Sequence, residues 1–403
     1  MADAKLAPVL ALGTAQTLAW ASSYYVPAVL AAPMARDLGV APPTVFAAFS
    51  AALLVSAALG PHAGRAIDFW GGRVVLAGTN LVFAAGLVAL ALAQGSWSLF
   101  LAWAVLGIGM GSGLYEAAFA ALVRLYGTGS RGAITGITLI AGFASTVGWP
   151  LSALLESHFG WRGACLAWAA LHIVLGLPLN LSLPRAGPTP PAPAERTPSS
   201  PVTRAATQRA SLLHAIPFAA TSIISTAIAA HLPRLLQASG ATLAVAVGVG
   251  ALVGPAQVAG RLLEFGWLRR VHPMLSARLA ALMHPLGAIA LSTLGGPAAA
   301  VFALLHGAGN GILTIAKGTL PLVLFGPAGY GQRQGWLMVP ARIAQALAPW
   351  LFGLLLDRWG AHALWASAAI GTVAFVALSA LRTPPATLSA AWPAAPARSP
   401  GAR

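Results

Sequence analysis

Three charged residues, Glu116, Lys317 and Arg342, stand inside long apolar stretches of this 403-residue chain. A charge at the centre of a bilayer costs at least ~2.5 kcal/mol on insertion scales, so such side chains are expected to face a cavity or each other. A desolvated carboxyl takes up a proton more readily, and a nearby cation opposes that, so a buried glutamate beside cations can exchange its proton as its surroundings change. An arginine presents a planar fork of donors that fits a carboxylate or a phosphate. Two cations against one carboxylate leave a local excess of positive charge, which suits an anionic ligand. The chemistry on offer is charge recognition and proton exchange. For bond-making chemistry the chain has no HExxH, no paired aspartates, no Ser/His dyad with a Gly-rich approach and no Walker loop, and Asp and Glu together number eight. Neither an enzyme nor a cofactor or bound metal is expected. The single cysteine, Cys165, excludes an internal disulfide and a thiolate cluster.

The elements that must position these charges are membrane helices. The chain is 58% hydrophobic and 8% charged, whereas soluble domains carry about 25% charged residues. Its apolar residues fall into runs of the ~20-residue length that crosses a bilayer. Twelve runs are read, at 7–33, 42–63, 74–94, 98–124, 132–155, 162–183, 210–235, 241–262, 275–294, 297–324, 334–356 and 361–381. The first has no signal-peptide cleavage site behind it and reads as a retained helix. Residues 1–183 are expected to form one six-helix half and 210–382 the other. Between them, 184–209 is a Pro-rich linker, and 383–403 reads as a disordered tail.

The net charge of +15 does not point to nucleic acid, because the basic residues sit in short loops between runs. With a cytoplasmic N-terminus, only Arg36, Arg162, Arg234 and Arg358 fall on the outer side, and Lys317 and Arg342 lie within runs. All other Lys and Arg are then cytoplasmic, an asymmetry that places both termini and the linker inside a bacterial-type inner membrane. At ~1.5 Å per residue, Glu116, about eight residues before the cytoplasmic end of its run, and Arg342, about eight after the start of its own, both lie ~12 Å from that surface. The three charges can share one layer.

The chain also echoes itself. Gly64-Arg65-Ala66-Ile67-Asp68-Phe69 returns as Gly260-Arg261-Leu262-Leu263-Glu264-Phe265, and the alternating glycines Gly107, Gly109 and Gly111 return as Gly307, Gly309 and Gly311. A chain that repeats at half its length, in a composition this apolar, reads as two related halves of a membrane transporter. The glycine echo places Glu116 and Lys317 at nearly equivalent positions.

The first echo carries a resemblance to the major facilitator superfamily. Its loop signature, Gly-x3-Asp-(Arg/Lys)-x-Gly-x-(Arg/Lys), is met at Gly64, Asp68, Gly71 and Arg73, with Phe69 in the first basic position. The second copy keeps Gly260, Arg261 and Glu264. The long fourth run through Glu116 and the cations of the second half are similar to monocarboxylate-type members. Trp103 stands where members often carry an arginine, so coupling through that arginine is not implied. The antiporter signature is represented only by Gly148-Trp149-Pro150.

The resemblance implies an all-α fold of twelve transmembrane helices in two pseudo-repeated halves. Because helices one, four, seven and ten line the family's cavity, it also implies that Glu116 and Lys317 face one another across it. Trp20, Tyr24, Tyr25, His231 and Asn310 are further cavity candidates, beside the plainer role of helix–helix glue or interfacial aromatics. Glu116 remains open to three roles: proton carrier, fixed partner of Lys317 or Arg342, or lipid-facing residue. Arg342 is a candidate anion clamp. The loop residues Gly64, Arg65, Asp68, Gly71 and Arg73, with Gly260, Arg261 and Glu264, are candidate gates, in which glycines let helix ends approach and Asp68 meets a neighbouring helix N-terminus. The alternative is an ordinary interfacial turn.

The function expected is secondary transport of a small organic anion of monocarboxylate kind by alternating access, with protons as a further partner and the chain acting as a monomer. Efflux of drugs, metabolites or metalloids by the same fold is the alternative, and a polytopic membrane enzyme a remote one.

Overall fold

A computed structural model describes residues 3–186 and 201–381; the predicted tail and most of the linker lie outside the described residues. Regular structure among them is helical, without strands. That follows from the solvent, since lipid offers no hydrogen-bond partner to a free backbone. The helices follow the apolar runs, and several runs are broken into shorter helices.

The first run splits into α1 (Asp3–Ser22) and α2 (Val26–Asp37), parted at Ser23-Tyr24-Tyr25. Next come α3 (Pro42–Trp70) and α4 (Gly72–Ala91). The fourth run splits into α5 (Ser96–Gly113) and α6 (Tyr115–Tyr126). The fifth is α7 (Arg131–Ala141) with the start of α8 (Ala144–Leu171). Within α8 Gly160 has φ 68°, a left-handed conformation that glycine adopts without steric cost, and the chain turns there into the sixth run. That run ends through a π-helical turn, His172–Gly176, and α9 (Leu177–Leu181).

The second set is α10 (Pro201–Ala238), α11 (Leu243–Gly250), α12 (Val253–Gly266), α13 (Pro273–Leu294), α14 (Ala299–Phe325), α15 (Tyr330–Trp359) and α16 (Ala363–Ala380). Residues 201–209, expected in the linker, already belong to α10. Proline at its first position has no N–H to lose there, and the Ala-rich sequence behind it propagates a helix.

Among the described residues, seven stretches are long and apolar enough to cross a membrane. One of them, Ser96–Leu181, spans 86 residues; straight, it would reach ~130 Å at the helical rise, against a ~30 Å hydrocarbon core. It must fold back on itself, and the breaks are where it does. Large apolar side chains such as Trp97, Val174 and Trp350 face outward, as a lipid solvent requires.

The glycine echo is a packing device. An added Cβ at Gly107 would lie 2.5 Å from the Ala52 carbonyl oxygen of α3, and one at Gly307 2.7 Å from that of Val253 in α12. The opposite face of each helix repeats the theme: Gly109 meets Phe83 of α4, and Gly309 meets Ala280 of α13. Thus α5 is wedged between α3 and α4 as α14 is wedged between α12 and α13. Buried apolar clusters gather mainly within residues 12–183 and within 218–381. The two sets meet along α3 and α15 and, less extensively, where α7 meets α12 and α14.

Candidate functional site: a charged layer between the two helix sets

Glu116 is held by a helix break. Leu114 is extended (φ −84°, ψ −168°), so the helix restarts at Tyr115 and Glu116 falls in the first turn of α6. A half-helix N-terminus inside a membrane protein favours an anion, because its free N–H groups and dipole converge there. The carboxylate accepts a hydrogen bond from Arg342 Nη2 at 2.6 Å, and the two side chains are 20% and 7% exposed. This ion pair joins α6 to α15, across the two sets. Glu116 stands ten residues before the end of α6 and Arg342 twelve after the start of α15, or ~15 and ~18 Å along their helices. That is deeper than the run boundaries indicated, because both helices extend past their apolar runs toward the loop end.

Lys317 lies within electrostatic reach of Glu116 but is not bonded to it; its Nζ donates to Ser222 Oγ of α10 at 3.5 Å. Its helix neighbour Gly318 packs on the Phe119 ring of α6, where a Cβ would come within 2.7 Å. Asn310 lies two turns before Lys317 on α14 and is half-buried. His231 Nε2 donates to the Pro349 carbonyl at 2.7 Å, which ties α10 to α15. Tyr24 and Tyr25 sit at the α1–α2 break. The Tyr24 ring packs on Trp20 at 5.1 Å and edge-on against Phe49 at 5.4 Å.

Arg261 departs from its expected place. In the sequence it belongs to the second gating loop, but the structure draws it inside: it is 5% exposed, and its Nε and Nη1 find no hydrogen-bond partner among the described residues. Its guanidinium lies against Gly142, at the break between α7 and α8, where any Cβ would collide with Nη1. A buried cation without full hydrogen bonding costs several kcal/mol, so its placement needs a reason.

The remaining loop residues tie the two sets together at one end. Asp68 accepts from the backbone N–H of Gly331 and of Gln332, each at 2.9 Å, at the start of α15. Gly64 and Gly331 touch backbone to backbone, so a Cβ on either would clash. Gly71 ends α3, and Arg73 Nη1 donates to the Leu183 carbonyl at 3.4 Å, while Arg65 is exposed. In the second copy Gly260 abuts the Ala308 carbonyl of α14. Glu264 pairs with Arg131 Nη2 at 2.7 Å and accepts from Ser276 Oγ at 2.6 Å. At the opposite end Arg162 pairs with Asp37 at 2.9 Å and Arg234 with Asp357. Both of these pairs stay within one set.

Arg131 and Ser276 were not singled out by sequence, and neither were Tyr115 and Phe119, which join Trp20 in a ring ladder beside Glu116. In that ladder Trp20 meets Tyr115 at 4.9 Å, and Tyr115 stacks on Phe119 at 5.5 Å. The i, i+4 spacings Trp20/Tyr24 and Tyr115/Phe119 were its available signal. Each set also buries a histidine node. His172 links Asn80 (2.9 Å) and Ser22 (2.7 Å), and His284 links His306 (3.0 Å) and Ser367 (3.2 Å). A separate cavity of about 580 Å³ opens toward the loop end between α10 and α15, lined by Ser211, Arg333 and Trp336 among others. Arg333 there is committed to the carbonyls of Phe325, Gly326 and Ala328.

Broken helices meeting at a buried charged layer, between two repeated helix sets, define a membrane transporter fold. The chain belongs to the major facilitator superfamily, whose model matches residues 12–316. It is 30% identical over 323 residues to human monocarboxylate transporter 11, covering 77% of this chain and 68% of that protein. Among solved structures it resembles the human organic anion transporter MFSD10 (TM-score 0.66, 16% identity, 93% of this chain and 99% of that one). It also resembles the E. coli fucose:proton symporter (TM-score 0.74, 13% identity, 93% and 98%). At such identities the likeness is one of fold. The protein is a multi-pass membrane transporter of this superfamily, and these relationships point away from an enzyme.

Proposed function

We propose that the protein moves a small organic anion, of monocarboxylate kind, across a bacterial-type inner membrane by alternating access, with both termini cytoplasmic. The two helix sets, the first within residues 1–183 and the second beginning with α10 at Pro201, are the two rocking bodies. The observation that carries this reading is the buried, incompletely bonded guanidinium of Arg261. It shares the interior with Lys317, while the layer's one carboxylate is already taken by Arg342. A carboxylate substrate would supply the partner that Arg261 lacks and relieve the excess of positive charge. The 30% identity to a monocarboxylate transporter supports the same substrate class.

Coupling follows from the Glu116–Arg342 pair. While Glu116 is ionised it occupies Arg342. A proton on Glu116 would weaken that pair and free the guanidinium to share the substrate's charge. Proton and anion then enter the layer together, which is the logic of symport. The ties between sets at the loop end leave entry from the opposite end, and breaking those ties would release the cargo.

Reconstituted protein should accumulate a labelled monocarboxylate when a proton gradient is imposed. Glu116→Gln should abolish gradient-driven accumulation yet preserve substrate counterflow, because exchange needs no net proton movement. Unchanged driven uptake in that variant would sink the coupling role. In binding assays, Arg261→Ala and Arg342→Ala should weaken charged analogues at least ~10-fold more than neutral isosteres, a difference of ~1.4 kcal/mol. Equal losses for both would overturn the anion reading.

A further inference from the structure

Glu116 owes its place to the break at Leu114, and a break inside a membrane helix leaves carbonyls without their helical partners. Gly113 ends α5, and in an unbroken helix its carbonyl would accept from the N–H of Ala117. Here that N–H goes to the Leu114 carbonyl at 3.0 Å, and Ala118 donates to the same oxygen at 3.1 Å. The freed Gly113 carbonyl accepts instead from Gln16 Nε2 of α1, at 2.6 Å, and Gln16 is 1% exposed. On its other side Gly113 is pressed against Thr79 and Phe83 of α4, where a Cβ would collide with both. One turn beyond Gln16, Trp20 packs on the Tyr115 ring at 4.9 Å. Helix α1 therefore touches the last residue of α5 and the first of α6.

Nothing local demands the break. No proline stands between Gly107 and Tyr126, leucine is a good helix former, and the φ of −84° at Leu114 is ordinary for an L-residue. The same helix of the second copy runs unbroken. In the register that sets Gly107 against Gly307, Gly113 and Leu114 match Leu313 and Thr314, which lie inside α14. Nor is the Gln16 amide locked from its far end, since its Oε1 is buried without a hydrogen-bond partner among the described residues. If Gln16 lets go, the Ala117 N–H can take its place at the Gly113 carbonyl. Joining the helices would then move Glu116. A residue that changes from extended to helical shortens its rise from ~3.3 to ~1.5 Å and alters its turn by ~80°. A bond of 2.6 Å to Arg342 does not survive that shift.

We infer, independently of the substrate assigned above, that Gln16 is the positioning residue of the Glu116–Arg342 pair. Its amide holds the α5–α6 break open, and its release lets the two helices join and carries Glu116 out of reach of Arg342.

Full-length protein in nanodiscs, without substrate, is followed by hydrogen exchange. Gln16→Met keeps the length of the side chain and removes the donor. Exchange at Tyr115, Glu116 and Ala117 should slow roughly tenfold, because amides at a helix start gain carbonyl partners in the joined helix. Loss of a merely structural contact would speed it. Gln16→Asn, one methylene too short for Gly113, should act in the same direction. Leu114→Pro bars a helix through that position, so Gln16→Met/Leu114→Pro should return to the parental rate. Exchange that is unchanged or faster in both Gln16 variants, or slowing that persists with Leu114→Pro, would overturn the positioning role. Carboxylate uptake takes no part in the measurement, so its failure would leave the role of Gln16 standing.

Discussion

In the first copy of the repeated loop, Arg65 points outward and Asp68 reaches across the seam to two backbone N–H groups. In the second copy Arg261 is drawn into the interior and Glu264 reaches across to a side chain, Arg131. Both acids find the same kind of place. Gly331 and Gln332 open α15, and Arg131 opens α7, which are the fifth-run helices of the opposite set. Duplication has kept the geometry of the tie while exchanging its chemistry. One copy uses peptide N–H groups and the helix dipole; the other uses a full charge, buried with its partner. The second arginine packs inward, against Gly142 at the α7–α8 break.

The comparison can be broken at the charged tie first. Arg131→Ala leaves Glu264, 4% exposed at its side chain, without that cation, and removing one member of a buried pair costs about 3–5 kcal/mol. A melting temperature lowered by several degrees, and partly regained in Arg131→Ala/Glu264→Gln, is the expected result. An unchanged melting temperature would mean the pair contributes nothing. A smaller effect is expected at the backbone tie. Asp68→Asn keeps one carbonyl acceptor of the two carboxylate oxygens and should cost about 1–2 kcal/mol, within the range for charge-assisted bonds to backbone N–H. In hydrogen exchange its signature is faster exchange at Gly331 and Gln332. Smallest of all, Arg65→Ala should stay within about 0.5 kcal/mol of the parent, as exposed substitutions usually do. A loss at Arg65 as large as at Arg131 would show that the two copies are not divided in this way.

Much of the fold was legible because its causes are local along the chain. Apolar length sets where a helix crosses, the penalty on intramembrane charge marks Glu116, Lys317 and Arg342, and close packing explains the repeated glycines. Counting residues put Glu116 and Arg342 at a common depth because helical rise is uniform, but too shallow, because both helices extend past their apolar runs. The helix breaks were harder to see. Leu114 and the Tyr24-Tyr25 junction lie within uninterrupted apolar runs, and only packing against neighbours decides that the backbone opens there. The break at Leu114 nevertheless changes the site, since it moves Glu116 from mid-helix to a helix start.

By itself, then, the sequence determined the solvent, the apolar runs, the repeat and the residues too costly to be accidental, all read from order and spacing in one dimension. The tertiary structure decided which cation Glu116 takes, that Arg261 turns inward, and that Trp20 meets Tyr115 beside Glu116. Those choices rest on contacts between residues separated by more than a hundred positions, such as Glu116 with Arg342 and Arg261 with Gly142. Partner choice over such separations depends on how two helix sets register across a seam, and no local spacing encodes that register.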